Sequence, residues 1–199
     1  MAYTSLILHH KSSIIKAVIV GALIAILVSI FLPQEYAATT KLLVIPKVNL
    51  GVDPYTAVKS GERINQTLSE VIRTTSFFDK VMSAPGFQID QTPYQTTEQK
   101  KRKRWKRAVS PTALSGTSLL SVTAFNTDQK QAEALAGAVA SVLHTQGTQY
   151  TGADVEIKTV DTPVLSRFPV RPNYVLNAIF GALAFGLFAA GRLVWKSEN

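Results

Sequence analysis

The sequence predicts an α+β domain set between two transmembrane helices. Two observations carry that expectation. An unbroken apolar block lies near each end of the 199-residue chain, and the polar middle keeps β-like runs apart from stretches of helical periodicity. The hydrophobic fraction of 46% is ordinary, because the average blends the apolar ends with the polar middle. There is no internal repeat and no heptad run long enough for a coiled coil.

Ile14 to Leu32 (IIKAVIVGALIAILVSIFL) carries one charge, Lys16, near its start. As a helix it extends about 28 Å, close to the roughly 30 Å of a bilayer core, and Lys16 reaches back to the headgroups. Tyr174 to Trp195 is long enough to span as well, with Arg192 near its far end and Trp195 suited to the interface. The alternative for the first block is a cleaved signal peptide. Its apolar run is longer than the usual h-region, and the following Pro33-Gln34-Glu35-Tyr36 has no A-x-A cleavage pattern, so retention is expected. Lys11 and Lys16 flank the first span, and Arg192 and Lys196 flank the second, which places both termini in the cytoplasm. Arg167 and Arg171, just outside the second span, count the other way. The expected division is 1–13 cytoplasmic stub, 14–32 first span, 33–160 extracytoplasmic domain, 161–173 proline-rich segment, 174–195 second span and 196–199 cytoplasmic tail.

Each span carries small residues four apart. Ala17, Gly21, Ala25 and Ser29 form one series, and Ala178, Ala182, Gly186 and Ala190 the other. Such spacing keeps them on one face, where helix backbones approach closely. Whether the partner helix belongs to the same chain or a neighbour is open at this point.

In the middle, Tyr36–Ile45 reads as a strand stopped by Pro46. Asp53-Pro54 is a helix start, with Asp as N-cap and Pro at the first helical position. Ile64, Leu68, Val71 and Ile72 follow at helical spacing. A second start at Ser76, with Asp79 three residues on, resembles a capping box; that helix ends before the Pro85-Gly86 turn. Val109–Leu114 and Ser118–Phe125 read as a hairpin joined by Ser115-Gly116-Thr117. Asp128 caps a helix through about Gln146, with Ala132, Leu135, Ala136, Val139, Val142 and Leu143 on its apolar face. Val155–Val160 is the last strand. Pro163, Pro169 and Pro172 then share a register of three, with Ser166 in the vacant place. That register fits a stiff polyproline II strut, and it fits equally a plain linker.

The chain's net charge is +8, from 21 Lys+Arg against 13 Asp+Glu, which points to an anionic partner. Much of the excess sits in Lys100-Lys101-Arg102-Lys103-Arg104-Trp105-Lys106-Arg107, seven cations in eight residues. A domain outside the cytoplasm sets nucleic acid aside as the ligand. Two readings stay open. The run is a solvated helix face or loop, or it contacts an acidic polysaccharide, a pyrophosphate carrier or anionic headgroups, with Trp105 as a stacking face for a sugar. Repulsion among the like charges disfavours a helix there unless an anion is present. With no cysteine there is no disulfide framework, thiolate site or cysteine nucleophile. His9 and His10 fall in the stub and His144 in the last turn of a helix. No HExxH or GxSxG occurs, so neither catalysis nor a cofactor is expected.

The order of these features resembles that of Wzz-type polysaccharide chain-length determinants, also called co-polymerases. The resemblance rests on the first span, Tyr36-Ala-Ala-Thr-Thr-Lys-Leu-Leu-Val, Glu70-Val71-Ile72-Arg73-Thr74-Thr75-Ser76 and Leu119-Leu120-Ser121-Val122-Thr123 leading to Asp128 and Ala132. Pro163, Pro169 and Pro172 before a Gly-rich second span complete it. Ser166 departs from the family pattern, the long coiled-coil extension is missing, and no G-x-x-x-x-G-K-[ST] loop of a fused kinase occurs. The chain therefore resembles the short, kinase-free members. The resemblance implies a non-catalytic regulator of surface polysaccharide length (lipopolysaccharide O-antigen, capsule or exopolysaccharide). It would act as a homo-oligomer in the bacterial inner membrane, beside a polymerase and its lipid-linked polysaccharide. An alternative of another class is an adaptor that activates a separate cytoplasmic tyrosine kinase. The short segment from Lys196 to Asn199 offers such a partner little surface.

Overall fold

The computed structural model describes residues 11–47, 53–152 and 154–198, in two compact units. One unit combines Met1–Gln34 with Val170–Asn199, and the other is Glu35–Pro169. The α+β class holds.

The first unit is a helical pair, α1 (Lys11–Ile30) and, numbered last in the chain, α7 (Tyr174–Glu198). Both helices are apolar and long enough to cross a membrane, and few of their residues are buried. Asn173 caps α7, its Oδ1 accepting from the Leu176 N–H at 3.0 Å. His9 and His10 lie outside the described residues.

The second unit is built on a four-stranded antiparallel sheet in the order β2-β3-β1-β4. Its strands are β1 (Tyr36–Pro46), β2 (Val109–Ala113), β3 (Leu119–Asn126) and β4 (Val155–Leu165). The register pairs Leu42 with Leu120, Thr40 with Val122 and Ala38 with Ala124. One sheet face therefore carries the buried side chains of both central strands. Helix α5 (Gln129–Gln146), followed by the single turn α6 (Thr148–Thr151), packs against β1, β3 and β4, and α2 (Pro54–Ile72) packs chiefly against β2 and β1. Leu135, Ala136, Val139 and Leu143 of α5 are buried as their spacing predicts. Both expected caps form: Asp53 Oδ1 accepts from Thr56 N at 3.0 Å, and Asp128 Oδ1 from Lys130 N at 2.7 Å. The β2–β3 hairpin turns through Gly116 at φ +72°, which glycine adopts without a Cβ clash.

Three expectations change. Helix α3 (Thr75–Met82) starts earlier than the Ser76 reading, because Thr74 is the cap, its hydroxyl accepting from Phe77 N at 3.3 Å. Asp79 takes no part in a capping box and instead pairs with Lys101 at 3.1 Å. The last strand does not stop at Val160. It continues through Pro163 to Leu165 past a register shift opposite Lys41, so the first part of the expected strut is sheet. Proline is tolerated there because β4 is an edge strand. Ser166 then fastens the end of β4 to the start of β1: Ser166 N donates to Ala37 O at 2.7 Å, and Ala37 N donates to Ser166 Oγ at 3.0 Å. A proline in that place would lose both bonds. The compact unit consequently ends at Pro169 rather than 160.

Candidate functional site

The basic run forms helix α4 (Glu98–Ala108), preceded by a 3-10 turn at Thr92–Tyr94. One side chain explains why so charged a segment stays helical. Trp105 is 1% exposed, its indole N–H donates to the Ile72 carbonyl at 2.7 Å, and its ring meets Phe78 edge-on at 5.2 Å. The indole is therefore core, and it presents no stacking face to a sugar. The C-terminal position of Lys106 and Arg107 suits the helix dipole.

Several cations are held by partners inside the domain. Lys101 Nζ lies 3.1 Å from Asp79 and 3.6 Å from Glu98, and 4.7 Å above the Phe78 ring. The hydrogen bond to Asp79 holds its ammonium above the usual lysine range. Arg107 pairs with Glu35 at 2.9 Å. Arg104 donates to the Pro93 carbonyl. Arg102 Nε donates to Thr75 Oγ1 at 3.0 Å. Lys100, Lys103 and Lys106 are exposed. The expectation that α4 needs an external anion is thus corrected: Asp79, Glu98 and Glu35 supply carboxylates from within.

The run does not act as one face. Arg102 and Lys106, four residues apart, turn towards a cleft of about 460 Å³ whose other walls are Glu70, Arg73, Thr74, Thr75 and Ser76. These five residues join the end of α2 to the start of α3. The Nε of Arg73 is buried and, among the described residues, has no hydrogen-bond partner. In the sequence, Glu70 to Ser76 stand out only through the family resemblance. What makes that segment one wall of a cleft is the arrival of two α4 cations beside it, a tertiary contact that spacing along the chain does not reveal.

In the helical pair, α1 and α7 run antiparallel. A Cβ on Gly21 would stand 2.5 Å from the Gly181 carbonyl oxygen and 2.5 Å from Phe185 Cβ, and one on Gly186 would stand 2.9 Å from Val18 Cγ2. Gly21 and Ser29 are buried, and Ala17 and Ala25 are partly buried. Ala178, Ala182, Gly186 and Ala190 are also partly covered. The closest approach, however, involves Gly181, outside the second series. Asn177 Nδ2 donates to Ser29 Oγ at 2.8 Å, a contact the small-residue pattern did not anticipate. The small faces therefore meet within one chain. Of the three prolines, Pro163 sits in β4, Pro169 ends the domain unit, and Pro172 precedes α7.

No curated protein matches the chain. Residues 2–84 match the family model of Wzz, chain length determinant protein, and over that stretch, which takes in α1, β1, α2 and α3, the chain is similar to that family.

Proposed function

We propose that the protein is a non-catalytic membrane regulator of the chain length of a surface polysaccharide: lipopolysaccharide O-antigen, capsule or exopolysaccharide. The observation that carries this is the Wzz match over residues 2–84 in a chain with an apolar helix on either side of an α+β domain. The family implies regulation of polysaccharide length. The helices support residence in the bacterial inner membrane, with both termini cytoplasmic and the domain outside. The protein works as a homo-oligomer beside the polymerase and its lipid-linked substrate, and the exposed cations of α4 face that anionic material.

Deleting the gene and restoring it on a plasmid tests this. The surface polysaccharide, separated on a gel, should lose its clustered length distribution on deletion and regain it on restoration. An unchanged distribution in the deletion strain overturns the reading. Loss of tyrosine phosphorylation in a partner kinase, with polymer length intact, would support an adaptor instead.

A further inference from the structure

The cleft between the α2–α3 junction and α4 combines features that the length-regulating role does not require. Three cations converge on it from two segments: Arg73 from the junction, and Arg102 and Lys106 from α4. Glu70 is the lone carboxylate on the lining, and among the described residues it forms no ion pair with them. The cations therefore outnumber the acid, and among the described residues none of the three forms an ion pair.

The guanidinium of Arg102 is oriented by its Nε bond to Thr75 Oγ1 at 3.0 Å, which leaves its two terminal amino groups for another acceptor. Thr75 accepts in that bond, so its own hydroxyl hydrogen remains available, as does the Ser76 hydroxyl. Thr74 is different: its hydroxyl donates to Val71 O at 2.7 Å and accepts from Phe77 N, and so serves as the cap. Phe77 N is taken up by that cap, which leaves Thr75 N and Ser76 N as the first-turn N–H groups without an acceptor in the helix, at the positive end of its dipole. Arg73, half-buried on the same lining, has an Nε with no hydrogen-bond partner among the described residues, so its guanidinium is not tied to a carboxylate there.

Hydroxyl donors, a forked guanidinium, an ammonium and free backbone N–H groups around a small cleft suit a compact tetrahedral oxyanion. We propose that this cleft binds a phosphate group, as a pyrophosphate or phosphomonoester, with Arg102 and Lys106 as its principal ligands and Arg73, Thr75 and Ser76 closing around it. The site selects Arg102 and Lys106 from among the cations of α4 and leaves Lys100 and Lys103 outside. It stands on the cleft alone and holds whether or not the chain sets polymer length.

The test uses the full chain in a non-ionic detergent, with inorganic pyrophosphate, a short-chain phosphatidic acid and glucuronate as probes. Binding is measured by titration calorimetry for the parent, R102Q/K106Q and K100Q/K103Q. The last variant removes the same charge from the same helix outside the cleft. We expect a phosphate probe to bind the parent, R102Q/K106Q to weaken it about tenfold or more, since two charge-assisted hydrogen bonds are lost, and K100Q/K103Q to change it less than about threefold. Pyrophosphate binding without phosphatidic acid binding identifies a soluble or carrier pyrophosphate, and the reverse identifies a lipid headgroup; either supports the site. Equal weakening in both variants makes α4 a diffuse cationic surface and overturns the proposal. So does binding of glucuronate alone, or of no probe. Should R102Q/K106Q fail to fold, acetylation of the parent gives the answer: pyrophosphate should protect Lys106 and not Lys100 or Lys103, and uniform or absent protection overturns the site.

Discussion

Trp105 shows how one residue can decide the character of a segment. It is among the largest fully buried side chains, and its indole N–H satisfies the carbonyl of Ile72 near the end of α2. Replacing it with alanine removes the ring from the core and strands that carbonyl, at about 3–5 kcal/mol, with Trp105→Phe costing less. Urea unfolding of the full chain in detergent checks this. A midpoint for Trp105→Ala equal to the parent's would mean the ring is not core. Beside it, Tyr94 packs on Phe78 at 4.9 Å, and burial pushes its phenol up to about 12. The protonated form is the one the fold favours. Its contribution is therefore complete below the unfolded value of about 10 and is lost as pH rises from there through about 12. Tyr94→Phe should flatten the fall in stability over that alkaline window, seen as unfolding midpoints at stepped pH. Neither residue's role was legible in the sequence. Helical periodicity needs several apolar positions to register, and α4 buries itself on one. Asp53 and Asp128 were legible because a cap is local chemistry, settled within three residues.

The same contrast holds at the level of elements. The β2–β3 hairpin and α5 announce themselves by alternation and by helical spacing. The far half of β4 does not, because an edge strand buries little: Val160 and Val164 are exposed, and Pro163 argues against a strand anywhere but an edge. The register of three prolines fitted a strut and a plain linker equally, while the Ser166 bonds to Ala37, which hold that segment to β1, join residues far apart in the chain. In the helical pair, a four-residue series finds one row of the contact. Crossing helices touch along adjacent rows, so Asn177 and Gly181 were missed beside Ala178 and Ala182. The pairing itself is testable. With cysteines at positions 29 and 177, where Ser29 and Asn177 now hydrogen-bond, crosslinking should occur within one chain and leave its mass on a gel unchanged. Gly21→Leu drives a side chain into Gly181 and Phe185, and should sharply reduce that crosslink. A crosslink that forms only between chains, or that survives Gly21→Leu, would show that this face does not pair α1 with α7.

The helical pair also constrains the whole molecule. Because α1 and α7 run antiparallel, Lys16 and Arg192 fall at the same end of the pair, where both line one groove, and Gln34 and Tyr174 meet at the other, Gln34 Nε2 donating to the Tyr174 hydroxyl at 3.1 Å. If the pair spans the bilayer, the cationic end belongs on the cytoplasmic side, since short flanks rich in Lys and Arg resist translocation. Residues 35–169 leave from the opposite end and must then lie outside, despite their own positive charge, because long translocated segments largely escape that rule. Fusions of a reporter active only outside the cytoplasm, and of one active only within it, give the measurement. At Gln91, an exposed position in the domain, the outside reporter should be active and the inside reporter silent. At Asn199 the pattern should reverse. Moving both Lys16 and Arg192 to glutamine should weaken the preference without inverting it, since Lys11 still flanks α1. Outside activity at both positions would mean that α7 does not span. Inside activity at Gln91 would place the domain, and with it the cations of α4, among cytoplasmic anions rather than at the surface where polysaccharide is assembled.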